Sequence, residues 1–268
     1  MRFVSRNALV IAVAIAAAGC ASSTAPSATV EAAPLTIYGA ASLKAALDQL
    51  ETAWETARPG ATLTISTDSS AALETQIEQG APADVFLSAD TANPKKLTDK
   101  SLADGPAVSF AGNLLTVIVP TANPAAISTP ADLAKSGVKV IAAGDDVPIT
   151  KYANQVVANL AKLSGYPDGF AADYAANVAS KEDNVKAVVA KIELGEGDGG
   201  IVYATDAKAS TKVMTVAIPD AANVPATYAG VVVAASTHRA TAHAFLDWVA
   251  GADGQTILAG FGFGPPAD

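Results

Sequence analysis

The sequence predicts an α/β fold divided into two lobes, and three observations carry that prediction. Short β-branched or aromatic runs alternate with segments whose apolar residues recur at helical spacing, the pattern of mainly parallel sheets covered by helices. Two sets of such units are joined by apolar runs at residues 114–119 and 230–234, so the chain is expected to cross twice between lobes. Several strand ends, after Tyr38, Ile65, Ile141, Ala179 and Val202, lead into small or polar residues. Open α/β sheets hold their ligands at such carboxyl ends. Lobe I is expected to comprise residues 35–113 and 229–268, and lobe II residues 114–228.

The elements follow in order. Residues 35–50 read LTIYGAASLKAALDQL. The first four form a strand ended by Gly39, and from Leu43 the apolar Leu43, Ala46, Leu47 and Leu50 fall on one helical face. The same plan recurs: strand 61–66, the polar turn Thr67-Asp68-Ser69-Ser70, then a helix over 70–79 stopped by Gly80. Strand 85–87 precedes a short helix near Asp90. Residues 114–119 read as a central strand ended by Pro120. Thr129, Pro130 and Asp132 supply a cap, a first-position proline and a first-turn acid for a short helix. Strand 138–142 precedes a helix over 149–163, strand 177–179 a helix over 185–194, and strands follow at 200–203, 213–217 and 230–234. Helices over 241–250 and 253–259 close the chain. No repeat of fixed period is present.

The N-terminus reads as a processing segment rather than as fold. Arg2 and Arg6 precede an apolar run over residues 8–18, too short for a standard membrane span, which ends in Ala17-Ala18-Gly19-Cys20. Small residues leading into Cys resemble a bacterial lipobox. A signal peptide over 1–19, lipid attachment at Cys20 and a flexible Ala/Ser/Thr/Pro tether over 20–34 are therefore expected. The protein would be exported and anchored to the outer face of the cell membrane. Cys20 is the only cysteine, so the mature domain has no thiol for a disulfide, a redox pair or a Cys-based metal site. Lys and Arg number 17 against 26 Asp and Glu, a net charge of −9, which argues against nucleic acid.

The residues suited to chemistry lie at helix starts. A helix N-terminus offers unpaired N–H donors and about half a positive charge, which together favour an anion. Ser42, Ser70 and the backbone at Ile149 and Val185 occupy four such starts, and Tyr203 ends a strand. Taken singly, each serine is an ordinary cap and Tyr203 an ordinary core aromatic; the repetition within one chain points to a small oxyanion held by neutral donors. Lys44, Lys151 and Lys186 each fall in the first turn of one of these helices, where an anion would offset their unfavourable position.

At these residues the sequence resembles the molybdate-binding proteins of ABC importers, within the type 2 periplasmic solute-binding fold. The segments that carry the resemblance are YGAASLKAAL, SSAALETQIEQGAPADVFLSAD, VPITKYA, EDNVKAVVAKIELGEGDGGIVYATDA and FLDWVAGADGQTILAGFGF. The resemblance implies a ligand set of two Ser hydroxyls, two backbone amides and one Tyr hydroxyl, falling on Ser42, Ser70 (with Ser69 adjacent), Ile149, Val185 and Tyr203. Ile149-Thr150 departs from the small residues usual after the Val-Pro pair, and Thr150 could add a hydroxyl. Asp68, beside the serines, is expected to cap or point away from the anion. The implied activity is binding of molybdate, with tungstate as a close mimic, and delivery to a membrane permease and its ATPase by a monomeric protein. No enzyme activity or cofactor is implied, and molybdenum enters only within the bound anion. Two alternatives are another small oxyanion such as sulfate, and a hydrolase with Ser42 or Ser70 as nucleophile. The second lacks a G-x-S-x-G motif, and His238 and His243 lie in the C-terminal helical region without a triad context.

Overall fold

The computed structural model describes residue 1 and residues 32–267. The expected signal peptide, Cys20 and most of the tether lie outside the described residues. The chain begins with β1 (Pro34–Ala40), one turn of 3-10 helix (Ala41–Leu43) and α1 (Lys44–Ala57). α1 buries Ala46, Leu47, Leu50 and Trp54, the stripe that its apolar spacing dictates. A Cβ on Gly39 would collide with the Leu47 side chain, so α1 lies this close to β1 only over a glycine. The plan repeats through β2 (Thr62–Asp68), α2 (Ser70–Glu78), β3 (Val85–Ser88), α3 (Ala92–Asp99) and β4 (Val108–Asn113).

A second set of elements follows: β5 (Leu115–Pro120), a 3-10 helix (Pro130–Ala134), β6 (Val140–Ala143), α4 (Pro148–Leu160) and α5 (Phe170–Ala176). It continues with β7 (Val178–Glu182), α6 (Val185–Glu193), β8 (Gly200–Tyr203), α7 (Ala204–Lys208) and β9 (Val213–Val216). β10 (Ala226–Val232) returns to the first sheet, and α8 (Arg239–Ala250) and α9 (Ala252–Phe261) pack against that lobe.

The first lobe is built on a five-stranded sheet in the order β2-β1-β3-β10-β4. β2, β1 and β3 run parallel, as strands joined through helices must, whereas β10 runs antiparallel to both β3 and β4. In the second lobe β5 pairs antiparallel with β8 and β9, and β6 pairs parallel with β7. An isolated bridge between Val140 and Gly199 ties these two sheets together. The α/β two-lobed expectation holds, with pairing more mixed than the predicted mainly parallel sheets. Strands β5 and β10, which follow the two crossings, enter against their neighbours.

Several local readings differ from the structure, and β4 is a strand that the sequence reading did not assign. The apolar run at 114–119 is entered at Leu115, because Leu114 is exposed and marks the passage from β4 in one sheet to β5 in the other. The Asn113 side-chain carbonyl accepts the Leu114 N–H at 3.0 Å and steadies that passage. The returning strand begins at Ala226, ahead of the predicted 230, and the early start buries Ala226, Tyr228 and Ala229. The short helices α5 and α7 lacked the length that makes a helical period readable.

The buried core is continuous across both lobes. Within it a file of aromatic rings passes from Phe110 to Tyr228 (6.2 Å between centroids), on to Tyr203 (5.6 Å) and then Tyr152 (6.4 Å).

Candidate ligand-binding site

Four chain turns meet at the boundary between the lobes. From the first lobe come the 3-10 turn after β1, bearing Ser42, and the start of α2, bearing Ser69 and Ser70. From the second come the start of α4, where Val147 precedes Pro148 and Ile149, and the start of α6, capped by Asn184. These segments and Tyr203 enclose a cavity of about 10 Å³, the space of roughly one water-sized sphere. Ser42, Ser69, Ser70, Ile149, Val185 and Tyr203 all line it. Among the described residues no Lys, Arg, Asp or Glu does.

Each donor has a stated geometry. Ser69 is the N-cap of α2, and its Oγ accepts the Ala72 N–H at 3.2 Å. Ser70, one residue into the helix, accepts the Ala89 N–H on its Oγ at 3.0 Å, which leaves its own proton to be donated. Ser42 Oγ lies 2.9 Å from the Tyr228 hydroxyl, a buried contact between residues 186 apart in sequence. Ile149 and Val185 are the second and first residues of their helices, so their N–H groups belong to the turn that has no intrahelical acceptor. Helix-start charges of about one half each, summed over these segments, match roughly a dianion.

Tyr203 is the most telling member. Its side chain is buried, and its hydroxyl has no hydrogen-bond partner among the described residues. Burial, with the neighbouring Tyr228 and Tyr152, pushes the phenol well above its ordinary range, so it is a neutral donor at any working pH. A buried hydroxyl without a partner costs stability until a ligand accepts its proton.

Other candidates fall elsewhere. Thr150 does not line this cavity; its Oγ1 donates to the Ala143 carbonyl at 3.0 Å and borders a separate cavity of about 410 Å³ between α4 and α5. Asp68 also stays off the cavity wall. Its Oδ1 accepts the Ser69 N–H at 2.7 Å and, across the cleft, the Asn184 side-chain amide at 3.1 Å. Lys44 pairs with Asp48 at 2.5 Å and Lys186 with the buried Asp206 at 2.9 Å, while Lys151 is exposed. The helix-start lysines therefore give no separate sign of an anion. Among the described residues neither Ser42 nor Ser70 has a histidine partner: His238 lies 3.7 Å from Asp84 and His243 3.2 Å from Asp104. Among the described residues no group of His, Cys, Asp and Glu could hold a metal ion. The sequence reading missed Tyr228 and Asn113, which stand behind Ser42; no local pattern marks a contact over such separations.

Known proteins share this arrangement of elements. The family described as bacterial extracellular solute-binding protein matches residues 35–264. The molybdate-binding protein ModA of Mycobacterium tuberculosis is 32% identical over 233 residues, 87% of this chain and 85% of that protein. The Azotobacter vinelandii periplasmic molybdate-binding protein superposes with a TM-score of 0.73 at 24% identity, covering 87% of this chain and 100% of that one. The sulfate-binding protein SubI of Mycobacterium tuberculosis gives 0.76 at 21%, covering 87% and 86%. At those identities the two structures speak to the fold alone, and the fold is that of the periplasmic binding proteins. The same residues thus carry both the two-lobed architecture and the family match, and the chain belongs to the bacterial extracellular solute-binding proteins, exported proteins that bind their ligands without transforming them.

Proposed function

We propose that this solute-binding protein captures molybdate, with tungstate as a close mimic, and presents it to the permease and ATPase of an ABC importer. The proposed ligand set is the hydroxyls of Ser42, Ser70 and Tyr203 and the amides of Ile149 and Val185, with Ser69 as a further lining hydroxyl. The observation that carries the reading is the buried, unpartnered Tyr203 hydroxyl on a cavity whose other walls are helix starts from two lobes. Every polar group offered there is neutral and able to donate, which suits a fully deprotonated tetrahedral dianion. An anion that brings its own proton, such as hydrogen phosphate, would lack an acceptor. The 32% identity to ModA over most of both chains favours molybdate. Lobe I (35–113 and 229–268) and lobe II (114–228) would close on the ligand by a hinge at the crossings. The lipobox-like residues before Cys20 support a lipid anchor that holds the domain at the outer face of the membrane through the 20–34 tether.

A second reading is another small tetrahedral oxyanion such as sulfate, which the same set of neutral donors around the cavity would also suit. Thermal unfolding of the soluble domain with molybdate, tungstate, sulfate and phosphate separates the two. At ~1,000 times Kd a ligand stabilises by ~4 kcal/mol, or roughly 8–16 °C in Tm at this size. Molybdate and tungstate are expected to give the largest shifts. A shift with sulfate and none with molybdate would overturn the assignment.

A further inference from the structure

Behind Ser42 lies a buried chain of hydrogen bonds that the ligand set does not include. Tyr228, in the middle of β10, is fully buried, and its hydroxyl meets Ser42 Oγ at 2.9 Å. Asn113, the last residue of β4, directs its side-chain nitrogen at the Tyr228 oxygen (3.4 Å) and at Thr205 Oγ1 of α7 (2.8 Å). The orientation of the Asn113 amide is fixed, because its oxygen accepts the Leu114 N–H at 3.0 Å. Asn113 can therefore only donate to Tyr228. Among the described residues Ser42 Oγ is the one hydrogen-bond acceptor for the Tyr228 proton, so the arrangement that satisfies both groups has Tyr228 donating to Ser42. Ser42 Oγ then accepts from behind, and its single proton is left for the cavity.

We propose that Tyr228 and Asn113 are positioning residues that set the Ser42 hydroxyl as a donor toward the ligand. The inference rests on the reading that Ser42 binds an oxyanion. Ser70 has a matching arrangement, with the Ala89 amide filling its acceptor side. Both serines are thus oriented by a fixed donor of the protein. Burial drives the Tyr228 phenol well above its ordinary range, so the proton it hands to Ser42 is always present. Asn113 and Tyr228 sit on the strands that flank the two crossings between sheets, and Thr205 lies in the second lobe. The same chain that aims Ser42 is therefore assembled from both lobes.

The test is a double-mutant cycle of Tyr228→Phe with Ser42→Ala, read by calorimetric titration with molybdate. Tyr228→Phe keeps the ring against Phe110, Phe263 and Tyr203. In the wild-type background it is expected to weaken molybdate about tenfold, the worth of one well-placed hydrogen bond. In the Ser42→Ala background it is expected to change affinity by less than about twofold, because the hydroxyl it orients is gone. A merely structural Tyr228 would lower the ligand-free Tm equally in both backgrounds and show no such coupling. Asn113→Ala, which spares the tyrosine, is expected to give a smaller loss that also vanishes with Ser42→Ala. Equal losses in both backgrounds, or none in either, overturn the positioning role while leaving the oxyanion reading intact. A wild-type protein that binds no tetrahedral oxyanion overturns that reading and this one with it.

Discussion

Tyr203 shows how a residue proposed to bind the ligand can work against the empty protein. Its hydroxyl is buried without a partner, a state that costs about 1–3 kcal/mol where no water reaches it. Tyr203→Phe removes the orphaned group and keeps the ring between Tyr152 and Tyr228. The expected outcome is a split: molybdate affinity falls about tenfold, ~1.4 kcal/mol, while the ligand-free Tm stays level or rises. Titration calorimetry and thermal unfolding of the same sample measure both. A lower Tm with unchanged affinity would make Tyr203 a core residue only. That Ser42 and Ser70 lie at helix starts and Tyr203 at a strand end was legible because these are local patterns; their choice as one set rested on repetition and on the family resemblance, and the structure places all three on one cavity. Tyr228 and Asn113 were not legible, since their roles come from partners 186 and 92 residues away. Thr150 illustrates the converse, a hydroxyl at the right place in the chain whose proton is taken by the Ala143 carbonyl at the end of β6.

At the scale of elements, helix starts decide both the site and part of the stability. The 3-10 helix Pro130–Ala134 was readable from Thr129, Pro130 and Asp132, and the structure makes its acid an acceptor for several donors. Burial of Asp132 opposes ionisation, but the ammonium of Lys135 and the donors of Ser128 and Thr129 outweigh it and hold the carboxyl well below the usual range. A carboxyl depressed in the folded state stabilises at pH above its unfolded value of ~3.9, and that contribution is lost as the pH falls through the folded value. Asp132→Asn is thus expected to cost about 1–2 kcal/mol at pH 7, of the order of a lost cap, and progressively less below pH 4. Urea unfolding of both proteins across that range gives the comparison; a pH-independent difference would remove the carboxylate from the account. What could not be read at this scale was where β4 ends and β5 begins. An apolar run looks the same whether it lies in one sheet or passes between two, and only the exposed Leu114 and the turned Asn113 amide separate them.

At the scale of the whole molecule, the two lobes meet through the elements that build the site. Asp68, at the end of β2, accepts the side-chain amide of Asn184, and Asn184 caps α6 by accepting the Ala187 N–H at 3.1 Å. The first-lobe serines and the Val185 amide are thereby tied directly across the cleft. Asp68 also carries negative charge beside a site proposed for a dianion, in a chain whose net charge is already −9. The two effects act on different steps. The interlobe hydrogen bond exists only when the lobes are together, so it governs release, whereas the charge acts on the approaching anion and governs capture. Asp68→Ala is expected to raise both rate constants for molybdate several-fold, with little net change in affinity. Salt separates them: at about 0.5 M ionic strength the gain in association rate should disappear, because the charge is then screened within a few ångströms. The faster dissociation should persist, because a direct hydrogen bond is not screened. Stopped-flow association and ligand-chase experiments at low and high salt measure the pair. Dissociation unchanged at both ionic strengths would mean that the Asp68–Asn184 contact does not hold the lobes together.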